Sequence, residues 1–178
     1  MRKINMYLVL FLLVLLAFHG LLGAFTLLRL TELQLKSLAY LLLGTVLLHG
    51  LFGIALTKNA FLEGIHHGNW YWEKNASFWA IRLTGLIILL SLWFHVTCFT
   101  VFENGALFLR EFTWLRLSSQ IIFVLAIFIH LYCAARPLLL KWGILSFRER
   151  RQDFLLVFST FGTFFMASLI SYFIYWNY

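Results

Sequence analysis

Four histidines, His19, His49, His95 and His130, sit inside four separate long apolar runs of this chain. Among side chains, neutral imidazole is the commonest metal ligand. A polar or ionisable group in hydrocarbon is costly unless it is partnered, so an intramembrane histidine is a functional candidate by default. Axial histidine is a standard way to hold haem iron. Two imidazoles from different helices at one depth would give a six-coordinate iron with no open position, which moves electrons rather than binding a substrate. Proton relay is the other chemistry of intramembrane histidines, and relays usually enlist carboxylates at membrane depth. None of the seven acids lies mid-span.

The elements that must position these histidines follow from composition. The chain has 178 residues, 62% hydrophobic and 12% charged, with a mean hydropathy of +0.88. Soluble domains are about 45–50% apolar and about 25% charged. This much Leu and Phe needs lipid as its solvent. We expect an all-α membrane protein in a single transmembrane domain, 1–178, with spans at about 4–28, 37–57, 77–102, 117–140 and 154–176. Arg2 and Lys3 followed by an apolar stretch resemble a secretory leader. The stretch is nevertheless long enough for a span, which needs ~20 residues. Trp70 and Trp72 belong at a membrane–water interface. The connection between the third and fourth spans has the composition of a short amphipathic piece lying on the membrane. Pro137 is placed to end or kink the fourth span. In the fifth, Ser159, Thr160, Gly162, Thr163, Ala167 and Ser168 offer small residues for close packing.

Charge sets the orientation. Arg2, Lys3, Lys58, Lys74, Arg82, Arg136, Lys141, Arg148, Arg150 and Arg151 fall on one side, and Arg29, Lys36, Arg110 and Arg116 on the other. That asymmetry puts the N-terminus in the cytoplasm and, with five spans, the C-terminus outside. The net charge of +7 suits anionic headgroups and topology rather than nucleic acid. Cys98 and Cys133 read as apolar fillers.

The same spans give the histidines depths. Counting from the cytoplasmic boundary at ~1.5 Å per residue, His49 lies about 12 Å deep and His130 about 15 Å, with His19 about 22 Å and His95 about 25 Å. They form two pairs at two levels, one histidine per span, and each pair could hold one haem. Haem propionates need cations: Arg82, Arg136 and Lys141 lie near the inner level, and Arg29, Lys36, Arg110 and Arg116 near the outer. His19-Gly-Leu-Leu-Gly23 and His49-Gly-Leu-Phe-Gly53 form a weak internal echo. Gly20, Gly23, Gly50 and Gly53 then lie near the histidine faces, where a flat partner could approach the backbone or a helix could pack.

With these residues in hand, the chain resembles the cytochrome b subunit of type B succinate:quinone oxidoreductases, the di-haem, five-helix membrane anchors of bacterial succinate dehydrogenases and fumarate reductases. The likeness covers the first four spans and the loop after the fourth. Arg82-Leu-Thr84-Gly85 ahead of His95 is similar to the family's R/Q-x-T-G…H pattern, and His130, Arg136 and Lys141-Trp142-Gly143 to its H…R…KWG ending. The resemblance implies that the first and third spans serve a distal haem (His19, His95) and the second and fourth a proximal one (His49, His130). Two b-type haems would then carry electrons between a membrane quinone, usually menaquinone, and two cytoplasmic partners, an iron–sulfur subunit and an FAD flavoprotein. The whole complex is often dimeric and sits in the bacterial cytoplasmic (inner) membrane. By that likeness, Glu32, the acid between the first two spans, is the candidate for quinone protonation. His66, His67 and Glu63 are candidates for an inner site or a subunit contact, and Lys58–Asn75 and Arg148–Gln152 for docking surfaces. Phe128 stands where some members carry a proton-conducting glutamate, and the chain is short for the family. Other classes remain: a cytochrome b serving another dehydrogenase or a ferric-reductase-like flavin partner, or a haem-free transporter or structural subunit. No span holds two mid-span histidines, which argues against the ferric-reductase arrangement.

Overall fold

The fold comes from a computed structural model that describes residues 2–33, 35–68, 70, 72, 75–103, 106–141, 143 and 151–178. Its helices are α1 (Arg2–Leu27), α2 (Lys36–His67), α3 (Ala76–Cys98), α4 (Trp114–Lys141) and α5 (Arg151–Asn177), with two short strands, β1 (Thr100–Glu103) and β2 (Ala106–Leu109). All five helices contain stretches long and apolar enough to cross a membrane. Their outward faces carry large apolar side chains such as Tyr40, Leu90, Trp93 and Leu156, as lipid rather than water would allow. The chain divides into two compact units, Met1–Asn75 and Ala76–Tyr178.

In the first unit α1 packs against α2. At the end of α1, Arg29 adopts φ 61°. Its N–H donates to Thr26 O at 3.0 Å and that of Leu30 to Phe25 O at 2.9 Å, the doubled bond of a Schellman stop. α2 runs past the expected end at Thr57 to His67. Lys58, Asn59 and Glu63 are compatible with helix, and the stop comes only at Gly68, whose φ of 66° lets its N–H reach Gly64 O at 3.0 Å. The segment expected to be the start of a polar loop is therefore helix projecting beyond the apolar run. Trp70 folds back on Gly64, where an added Cβ would come within 2.7 Å of its ring. Trp70 also meets Phe61 edge-on and stacks on Trp72 at 5.7 Å.

In the second unit α4 packs against both α3 and α5. α3 ends at Cys98, short of the expected Phe102, and the strands pair antiparallel with Thr100 opposite Leu109 and Glu103 opposite Ala106. That hairpin replaces the expected amphipathic piece. Thr100, Val101 and Phe102 favour strand, and Asn104-Gly105 is a strong two-residue hairpin signal in the sequence. Below it lies the best-packed part of the unit. Phe112 is fully buried, stacks on Phe99 and meets Tyr172 edge-on. The Tyr172 hydroxyl donates to Arg110 O at 3.0 Å and Asn177 Nδ2 to Phe112 O at 2.9 Å. These bonds fasten the connection ahead of α4 to the last two turns of α5. The helix continues through Pro137 to Lys141. On α5, Ser168 is buried and Gly162 faces Phe128, but Ser159, Thr160, Thr163 and Ala167 are exposed. Ser159 and Thr160 bond instead to Leu156 O of their own helix.

Candidate functional site

His130 projects from α4 into α3. Its Nδ1 lies 3.1 Å from Ile81 O and 3.2 Å from Thr84 Oγ1. Ile81 offers a carbonyl, which can only accept. Thr84 gives its own proton to Ala80 O at 2.6 Å, so its oxygen also accepts from the ring. Nδ1 is therefore the protonated nitrogen, and Nε2 carries the ring lone pair. A Cβ at Gly85 would touch the ring at ordinary van der Waals distance, 3.4 Å from His130 Cε1, so a side chain larger than alanine there would press on the ring. Arg82 belongs to the same stretch. Its guanidinium carbon sits 4.7 Å over the Phe78 ring, and its buried Nε has no hydrogen-bond partner among the described residues. A buried donor left unmatched in protein is unusual and calls for an acceptor. Thr84 and Gly85 of the Arg82-Leu-Thr84-Gly85 motif thus border the ring of His130, not that of His95, which follows the motif on the same helix.

His95 projects the other way, from α3 toward α4. Its Nδ1 lies 2.8 Å from Gln120 Oε1, and its ring stacks on Phe123 at 4.7 Å and meets Phe99 edge-on. Gln120 is almost fully buried. Its Nε2 donates to Ser119 Oγ at 3.2 Å, and Ser119 Oγ donates to Arg116 O at 2.8 Å. This chain of donors presents the amide oxygen to His95, so here too Nδ1 carries the proton and Nε2 the lone pair. Along α4, Gln120 precedes His130 by ten residues, about 15 Å of helix. The second unit by itself therefore holds two histidines at two levels.

The first unit repeats the pattern more sparely. His49 Nδ1 on α2 lies 3.2 Å from Asn5 Oδ1 on α1. His19 is half-buried on α1, 14 residues beyond Asn5, or about 21 Å along the axis; the contact with Asn5 sets His49 near the inner end of α1, so the two levels in this unit stand about twice as far apart as the depths counted from sequence. A Cβ at Gly23 or Gly53 would meet nothing within 4 Å. The packing of α1 on α2 does not require glycine at either position. Each histidine pair expected from depth takes one member from each unit, and the contacts above belong to the units separately.

Arg116 is half-buried, with its guanidinium donating to Glu111 O. With Arg110 it lines an open groove of about 420 Å³ beside Cys98 and Ser119. Arg29 and Lys36 are exposed at the turn between α1 and α2, and Glu32 is exposed in the same connection. Glu63, His66 and His67 are exposed at the end of α2. Phe128 faces α5, against Phe158, Phe165 and Gly162. The side chains of Arg136 and Lys141, together with Lys74, Trp142 and most of Arg148–Gln152, lie outside the described residues. Two contact residues were not singled out from sequence, Gln120 and Asn5. Each is a polar side chain in the first turn of an expected span, beside other polar residues, so the sequence offered little to single it out.

Among the described residues no group of three or more His, Cys, Asp or Glu could hold a metal ion unaided. A haem asks less of the protein, since the porphyrin supplies four nitrogens. The features here fit that demand: imidazoles with Nδ1 matched to an oxygen, glycines along the histidine helices, and a half-buried arginine, Arg82, in the same turn as the His130 contacts. The chain matches no family model, and no curated protein and no solved structure matches it.

Proposed function

We propose that this five-helix membrane protein is the di-haem cytochrome b anchor of a succinate dehydrogenase or fumarate reductase, as its likeness to the type B family suggests. His49 and His130 would hold a proximal haem, and His19 and His95 a distal one. Bound there, haem iron supplies one-electron transfer between quinone and the iron–sulfur subunit. The observation that carries the reading is the state of the rings. His49, His95 and His130 each set Nδ1 against an oxygen on a neighbouring helix, the tautomer in which Nε2 can bind a metal.

The chain's own residues do the rest of the work. Ile81 O and Thr84 orient His130, Gln120 orients His95 and Asn5 orients His49. Arg82 would take a propionate near His130, with Arg136 and Lys141, and Arg29, Lys36 and Arg116 would serve the other level. Glu32 is the candidate to exchange a proton with the quinone, which we take to be menaquinone. The iron–sulfur and FAD subunits would dock on the cytoplasmic face, on the end of α2 and the basic segment before α5. The complex would lie in the bacterial inner membrane.

The test is purification of the chain from its native membrane under mild detergent. We expect two b-type haems per chain, with covalent flavin and iron–sulfur protein in the same complex. A colourless chain would reject the haem reading. A haem-bearing chain reproducibly accompanied by a different dehydrogenase would reject the succinate assignment and keep the cytochrome.

A further inference from the structure

Resting on the haem reading, we propose that Gln120 is a positioning residue that sets the electronic character of the distal haem through His95. The observations are specific to this end of the α3–α4 pair. Gln120 is 1% exposed, in a helix where an unmatched amide in hydrocarbon would be costly. Its oxygen is 2.8 Å from His95 Nδ1, the shortest of the four ring-nitrogen contacts described above. Turning the amide over would require Ser119 to give up its bond to Arg116 O, since the Gln120 nitrogen donates to Ser119 Oγ and Ser119 Oγ donates to Arg116 O. Phe123 stacked on the ring limits its rotation.

An acceptor on the remote nitrogen pushes electron density toward the nitrogen that faces iron and makes the ligand more basic. A more basic ligand favours ferric over ferrous iron, so Gln120 holds the distal haem at a lower potential than an unassisted imidazole would. At His130 a backbone carbonyl does the equivalent work, and no substitution removes it. At His95 the device is a side chain and can be removed.

The experiment uses the intact complex, with Gln120→Leu and Gln120→Glu compared with the parent by redox titration of each haem and by low-temperature EPR. Gln120→Leu is expected to raise the midpoint potential of one haem, the one lost in His95→Ala, and to shift only its low-spin signal. Gln120→Glu retains an acceptor and is expected to keep both haems, with that potential at or below the parent value. Loss of that haem in Gln120→Leu but not in Gln120→Glu equally supports the proposal. Two haems with unchanged potentials in Gln120→Leu would overturn it while leaving the cytochrome reading intact. Loss of the haem in both variants would reduce Gln120 to a packing role and also overturn it. A parent complex without haem would defeat the underlying reading instead.

Discussion

The two ends of the α3–α4 pair hold their histidines by different means. His130 is held by main chain and by smallness: the Ile81 carbonyl, the Thr84 hydroxyl and the missing side chain of Gly85. His95 is held by side chains: the Gln120 amide, the Phe123 ring and Phe99. A helix carbonyl is present whatever the residue, so the His130 end tolerates loss of a polar group but not added bulk. The His95 end depends on particular side chains, one of which, Phe99, stacks on Phe112 in the aromatic cluster with Tyr172. Fine control is therefore easier to build at the His95 end, and steric exclusion is the main vulnerability of the other.

The largest expected effect breaks the His95 end. Phe112→Ala removes a fully buried ring and should cost about 3–5 kcal/mol. Thermal unfolding of the detergent-solubilised protein measures it. On the haem reading the haem lost first should be the one that depends on His95.

Next, Gly85→Leu should strike the opposite end. A Cβ there already touches the His130 ring at 3.4 Å, so the rest of a leucine side chain must displace it, and overpacking of this kind costs about 1–3 kcal/mol. The haem lost should be the one that His130→Ala removes, seen in the reduced-minus-oxidised spectrum. Equal loss at both levels would blur the comparison.

Removing the Tyr172 hydroxyl with Tyr172→Phe leaves Arg110 O without its partner. A cost of about 0.5–1.5 kcal/mol is expected, again by melting.

Thr84→Val sharpens the comparison from the mild side. It deletes one of two acceptors at His130, and the Ile81 carbonyl remains. Hydrogen bonds between membrane helices average about 0.6 kcal/mol. Both haems should persist, with little change in potential, unlike the outcome at Gln120.

Much of this was legible in sequence because lipid makes it so. Five apolar runs announce five helices, since no other open structure satisfies its backbone in hydrocarbon. Histidines inside those runs stand out for the same reason. What lipid does not govern was harder to read. The apolar length of the second span says where hydrocarbon ends, not where the helix ends, so α2 continues to His67 through residues that look like a loop. The hairpin before α4 was signalled by Asn104-Gly105, yet its apolar strands read equally well as the tail of a span. The Arg82-Leu-Thr84-Gly85 motif could be found, but not the ring that Thr84 and Gly85 border, because that ring arrives from another helix. Gln120 and Asn5 are polar residues whose meaning lies wholly in a contact across the interface.

The most direct test of the central claim is a count of haems in four single variants, His19→Ala, His49→Ala, His95→Ala and His130→Ala, each resolved spectroscopically. The account predicts that His49→Ala and His130→Ala lose one and the same haem, and that His19→Ala and His95→Ala lose the other. If His95→Ala and His130→Ala remove the same haem, or if all four variants keep the parent spectrum, the two-level pairing is wrong.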